Sequence, residues 1–170
     1  PNNTIYTLLV DGTTIYIGGQ YSNIGGEARN VLAAVNNTDG AATAFNPNPD
    51  QAVYSLLLDN DILYVGGAFD TIGGETRYGL AAIDTNTSLA TAFETGGTDA
   101  VTIRGSMLLS EGILYVGGDD LGTFGGAERV GFAAVDVSTG IATDLDLGLD
   151  NIAVAFAKNG SDLFVGGTYK

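Results

Sequence analysis

Three side chains in this sequence of 170 residues invite a chemical reading because they sit where a repeating pattern breaks: Arg104, Asp119 and Asp120. Adjacent carboxylates offer oxygen ligands to a hard cation such as Ca²⁺. Paired acids held at a fixed separation also serve glycoside hydrolysis. Neither chemistry is spelled out, since no calcium-loop spacing surrounds Asp119 and Asp120, and nothing fixes two acids at a hydrolase's separation. The sequence holds no His and no Cys. Within it a Ser–His couple, a His-ligated metal, a thiolate site and a disulfide are therefore excluded. No catalytic residue and no resident metal is assigned. Arg104, Asp119 and Asp120 stand as the expected ligand-binding residues, with Ca²⁺ as the one cofactor that their chemistry admits. Simple drift of loop length is the plainer account of the same residues.

A second set recurs instead of standing apart. Arg29, Arg77 and Arg129 lie near Glu27, Glu75 and Glu128. A group repeated at one period suits a structural task, here bracing a loop against a strand. Asp84 and Asp136 are the expected partners, although Asn36 replaces the acid in the first copy.

The elements that must position these residues follow from self-comparison. Ile15-Tyr16-Ile17-Gly18-Gly19 returns as Leu63-Tyr64-Val65-Gly66-Gly67, as Leu114-Tyr115-Val116-Gly117-Gly118 and as Leu163-Phe164-Val165-Gly166-Gly167. The steps are 63−15=48, 114−63=51 and 163−114=49. A second pair (Gly25-Gly26, Gly73-Gly74, Gly125-Gly126), the arginine, a small apolar run such as Leu80-Ala81-Ala82-Ile83 and a Thr-bearing close follow in fixed order. In the third copy about three residues are added around Thr102–Gly105, and one more near Asp119–Gly122.

The second copy predicts strands near 53–58, 62–69, 79–84 and 90–94: short β-rich runs parted by Gly, Asn, Asp and Thr. No helical period runs for ten residues or more. Four strands per unit of 48 to 51 residues predict an all-β fold, a β-propeller of four-stranded blades. Blade sheets stack on both faces, so nearly continuous apolar runs such as Val53–Leu58 suit the inner strands. Leu145, Leu147 and Leu149, alternating with Asp144 and Asp146, read as a half-exposed outer strand. Gly18, Gly19, Gly66, Gly67, Gly117 and Gly118 are assigned to crowding where blades meet, and a phosphate cradle is set aside because no helix follows.

The copies run over 5–52, 53–100 and 101–151, with a partial copy at 152–170, about three and a half blades. Propellers close with four to eight blades, roughly 190 to 390 residues at this period. The expectation is a segment of a larger ring, closed by the rest of the same propeller or by a second copy.

Charge narrows the partners. Twenty acidic and six basic residues give a net charge of −14. Nucleic acids and anionic membrane surfaces need the opposite sign. No apolar run approaches a membrane span, so no membrane insertion is expected.

The string Leu63-Tyr64-Val65-Gly66-Gly67, a Phe-bearing loop, Ile72-Gly73-Gly74-Glu75-Thr76-Arg77 and Leu80-Ala81-Ala82-Ile83-Asp84 resembles the delta-sixty repeat propellers of bacterial exported and surface proteins. It is similar, more loosely, to kelch blades, whose usual Trp is missing from this chain. The resemblance implies a propeller, a secreted or cell-surface (extracellular) location, and no known catalytic residue. The function expected is a non-catalytic structural or adhesive module that binds a protein or glycan partner. The alternative is a segment of a polysaccharide-active propeller enzyme whose missing blades carry the site.

Overall fold

The apolar runs pair with their neighbours in sequence, because a short Gly- or Asn-bearing turn joins each pair. In the computed structural model, residues 1–97, 101–119 and 121–170 are described. The first unit comprises β1 (Thr4–Asp11), β2 (Thr14–Gln20), the short hairpin β3 (Asn23–Ile24) and β4 (Glu27–Ala28), and β5 (Leu32–Asn36). The second comprises β6 (Val53–Asp59), β7 (Ile62–Gly67), β8 (Thr71–Ile72), β9 (Glu75–Thr76) and β10 (Leu80–Asp84). The third comprises β11 (Met107–Ser110), β12 (Ile113–Gly117), β13 (Gly122–Phe124), β14 (Ala127–Arg129) and β15 (Phe132–Asp136). The fourth holds β16 (Ala153–Asn159) and β17 (Asp162–Gly167).

Every pairing is antiparallel. The orders β1-β2-β5, β6-β7-β10 and β11-β12-β15 give three three-stranded sheets, and β16-β17 a fourth of two strands. No helix occurs among the described residues. The fold is all-β and propeller-like.

The sheets stack face to face. Tyr16, Leu32 and Ala34 of the first unit pack on Val53, Leu63 and Val65 of the second. Tyr64, Leu80 and Ala82 pack on Leu114, Val116 and Ile103 of the third. Phe132 and Ala134 pack on Ala153, Phe156 and Val165 of the fourth. Burying these runs on both sides is the main stabilising term, about 1.5–3 kcal/mol for each large apolar side chain.

In the first three units the first glycine of the pair near the end of the second strand sits where sheets touch. A Cβ on Gly66 would strike Ser55 Oγ and Ile103, and one on Gly18 would strike Val53 and Thr7. Gly73 and Gly74 serve differently. Their φ values of 60° and 85° form the tight turn between β8 and β9, a conformation that costs a Cβ-bearing residue energy.

Two expected strands do not form. The segment near 90–94 makes a single bridge, Ile83 to Ala90, rather than a fourth strand. Arg77 explains this: its Nη2 donates to Thr91 O at 2.9 Å and its Nε to Phe93 O at 3.1 Å. The segment's carbonyls are thus taken by a guanidinium instead of a ladder. The alternating stretch 144–150 is not a strand either. The Gly148 N–H donates to Asp146 Oδ1 at 2.9 Å, and Gly148 turns at φ 60°, which breaks the extended run.

Candidate functional site

In β1 and β6 the strand register slips by one residue, between Ile5 and Thr7 and between Val53 and Ser55. The skipped residues are Tyr6 and Tyr54. A bulge turns its extra side chain out of the regular alternation, and here both bulges present a phenol at the same level of neighbouring sheets. β16 repeats the slip between Ala153 and Ala155, with Val154 skipped.

In the third unit Arg104 takes this place. Ile103, fully buried against Gly66, anchors the chain, and its N–H donates to Gly67 O at 2.9 Å. With its neighbour pinned inside, Arg104 points outward. The Gly105 N–H donates to Gly117 O at 3.0 Å and holds the other flank.

A continuous row results. The Tyr6 and Tyr54 rings lie 5.1 Å apart, tilted by 43°. The Arg104 guanidinium carbon lies 5.1 Å from the centre of the Tyr54 ring, within cation–π range. Arg104 Nε is 3.3 Å from Asp119 Oδ2. Asp119 is itself held by the bridge to Thr102, its N–H donating to Thr102 O at 3.0 Å. At the other end the Tyr6 hydroxyl donates to Gln20 Oε1 at 3.2 Å. The row is open to solvent: Tyr6 is 45% exposed, and the Arg104 and Asp119 side chains are 56% and 47% exposed.

Arg104 and Asp119, which the sequence singled out, are thus brought together. Asp120 lies outside the described residues. Tyr6 and Tyr54 were missed by sequence reasoning. Their signal was available, since they are 54−6=48 residues apart and in step with the repeat, but tyrosine in a strand reads as core. Among the described residues no group of three His, Cys, Asp or Glu side chains is placed to hold a metal ion.

The recurrent arginines lie elsewhere. Arg29, Arg77 and Arg129 donate from Nη2 to Thr43 O, Thr91 O and Thr143 O at 2.8–2.9 Å. Each also donates from Nη1 to the preceding residue's carbonyl. The pairing expected with Asp84 and Asp136 does not occur. Asp84 Oδ1 accepts from the N–H of Asn86 and of Thr87, and Asp136 Oδ1 accepts from Ser138. A carboxylate that begins a turn finds its own chain's N–H groups before it finds a distant guanidinium. The Ser138 hydroxyl and N–H hold Asp136 below the usual carboxylate range.

A concavity beside the second unit, about 440 Å³, is walled by turn backbone at Asn46–Asn48, Gly73–Gly74 and Thr87–Ser88. The Ser88 hydroxyl there accepts from the Asn46 N–H at 3.0 Å. No charge or aromatic ring other than the Glu75 side chain lines it.

No family model matches the chain, and no curated protein matches it. Among solved structures it is similar to the computationally designed Ika4 protein, at 16% identity and a TM-score of 0.69, covering 100% of this chain and 91% of that one. It is also similar to the computationally designed Ika8 protein, at 15% identity and a TM-score of 0.63, covering 95% of this chain and 42% of that one. A europium-containing methanol dehydrogenase overlaps more loosely, at 22% identity and a TM-score of 0.47, over 83% of this chain and 25% of its own. At such identities the likeness shows the propeller-like fold alone.

Proposed function

We propose that the chain is an arc of blades from a larger propeller ring, serving as a non-catalytic, structural or adhesive module that binds a glycan through the Tyr6–Tyr54–Arg104–Asp119 row. The observation that carries the binding reading is the guanidinium seated 5.1 Å over Tyr54 and tied to Asp119 in the open. Flat ring faces accept the apolar face of a sugar, while a carboxylate, a guanidinium and the Gln20 amide beside them meet its hydroxyls. With a net charge of −14 the fitting glycan is neutral.

The ring reading draws support from the sheets, which stack unit on unit through their apolar faces. Secreted or cell-surface placement, and membership of the delta-sixty repeat family, rest on the resemblance of residues 63–84. Fractionation of source cells checks the placement, and recovery only from the cytosol sinks it.

The direct test is binding to a panel of neutral and acidic polysaccharides. Tyr54→Ala and Arg104→Ala should each weaken binding to the neutral ones about tenfold, the worth of roughly 1.4 kcal/mol. No glycan binding, together with capture of a protein partner that Arg104→Ala abolishes, would transfer the row to protein recognition. Full glycan binding in both variants would remove the row from the function.

A further inference from the structure

The hairpin that joins the first two strands of each unit enters its turn on an equivalent residue: Asp11, Asp59, Ser110 and Asn159, at steps of 48, 51 and 49. Asn159 is followed by Gly160, the sole Asn-Gly step in the sequence. Asn159 pairs with Asp162, so Gly160 and Ser161 form the two-residue turn of β16–β17. Asn159, Gly160 and Ser161 are exposed. That exposure belongs to the turn itself. Asn60 and Asp61 in the second unit, and Glu111 and Gly112 in the third, are exposed at the same turn although sheets pack on both faces of those units.

An asparagine amide carbon lies within one ring closure of the next residue's backbone nitrogen. The closure needs a nitrogen that carries a proton to lose, room for its approach, and a side chain not tied down. Gly160 meets the first two conditions. It turns at φ 58°, and a Cβ built on it would find no atom within 4 Å. Among the described residues no hydrogen bond holds the Asn159 side chain, whereas Asn2, Asn36 and Asn151 each accept a backbone N–H through Oδ1. Asn46 and Asn48 precede proline, whose nitrogen carries no proton. Asn23, Asn30 and Asn151 precede Ile24, Val31 and Ile152, whose branched Cβ crowds the approach. A loop tip is also where local opening costs least.

We infer that Asn159 is a site of spontaneous covalent modification, deamidating through a cyclic imide. The inference is independent of the glycan and ring readings. The Gly160 nitrogen gives its proton to hydroxide and bonds to Asn159 Cγ. The bond from Cγ to the amide nitrogen then breaks, and ammonia leaves with a proton taken from water. A water molecule opens the imide at either carbonyl and leaves an aspartyl or an isoaspartyl residue. No oxidant is needed, and the net charge moves from −14 to −14−1=−15. The aspartyl product suits the turn, since Asp11 and Asp59 hold the same place in β1–β2 and β6–β7. The isoaspartyl product lengthens the main chain by a methylene and disturbs the pairing with Asp162.

The test is peptide mapping by mass spectrometry on the folded 170-residue chain, kept warm in mildly alkaline buffer, with an isoaspartyl-specific assay alongside. Residue 159 should gain about one dalton at least about tenfold faster than any other asparagine, a barrier lower by about 1.4 kcal/mol. The rate should rise with pH, both products should form, and Asn159→Gln should abolish the early acidic species. Asn159→Asp should unfold at the same denaturant concentration as the parent. The chain held unfolded in urea is the reference. Conversion there but not in the folded chain would overturn the inference, as would another asparagine reacting first. A product free of isoaspartate would overturn the imide route.

Discussion

The Arg77 guanidinium donates to Thr91 O across fourteen residues, and the same bond joins Arg29 to Thr43 and Arg129 to Thr143. It fastens the short glycine-turned hairpin of each of the first three units to the segment that follows the third strand. Arg77 makes a further bond from Nε to Phe93 O, whereas Nε of Arg29 and Nε of Arg129 are buried without a partner. A hydrogen bond from a charged donor contributes about 1.5–3 kcal/mol. Arg77→Ala should therefore destabilise the fold by about 3 kcal/mol, and Arg29→Ala by about 1–2 kcal/mol. Denaturant unfolding of the two variants measures the difference, and equal losses would refute the role given to Nε.

The strand-ending glycines differ in what confronts them. A Cβ on Gly18 would meet the Val53 and Thr7 side chains, which can shift; one on Gly117 would meet the backbone carbonyl of Ala153, which cannot. Overpacking typically costs 1–3 kcal/mol. Gly18→Ala should lose about 1 kcal/mol and Gly117→Ala about 3 kcal/mol or more. Chemical denaturation ranks them, and the reverse order would show that the sheets are not packed as described.

The Arg104–Asp119 pair is exposed on both sides, and such pairs contribute about 0–1 kcal/mol. Arg104→Ala should leave the thermal midpoint within a few degrees of the parent, about the shift of a 1 kcal/mol change. A large loss of stability would mean that the residue braces the fold instead of serving a ligand.

Burial raises the ionisation of Tyr16, Tyr21 and Tyr64 above the ordinary phenol value. The Tyr21 hydroxyl, which donates to Ile17 O at 2.7 Å, is raised furthest. A raised folded-state value means that the protonated form is favoured by folding. This stability is complete below the unfolded phenol value near 10 and is lost as pH climbs toward the folded values. The protein should hold through neutral pH and unfold more readily above about pH 10. Tyr21→Phe should blunt the alkaline loss, which circular dichroism against pH reads. An unchanged alkaline limb would refute the assignment.

How much was legible in the sequence varies with the range of the interaction. The first three main strands of the second copy could be read because local pairing and a fixed period write themselves along the chain. Leu63–Gly67 and Leu80–Asp84 are strands by composition, and the Gly73-Gly74 turn joins its hairpin by backbone geometry alone. The fourth strand failed because Thr91 and Phe93 give their carbonyls to Arg77, a choice between a guanidinium and a ladder that no local run encodes. Asp84 and Asp136 were given to the arginines because charge was weighed without the turn N–H groups that reach them first.

The sequence by itself determined the repeated motifs, the β character, the net negative charge and the exceptional position of Arg104 and Asp119. These depend on residue types and spacings, which survive without coordinates. Only the tertiary structure decided that Tyr6 and Tyr54 turn outward to meet Arg104, since a one-residue slip of register selects the face on which a side chain stands. It also decided that Leu8 and Phe164 lie bare while Leu56 and Tyr64, their counterparts, are covered. Equivalent residues in a repeat share a sequence environment but not a neighbour, and burial is set by the neighbour.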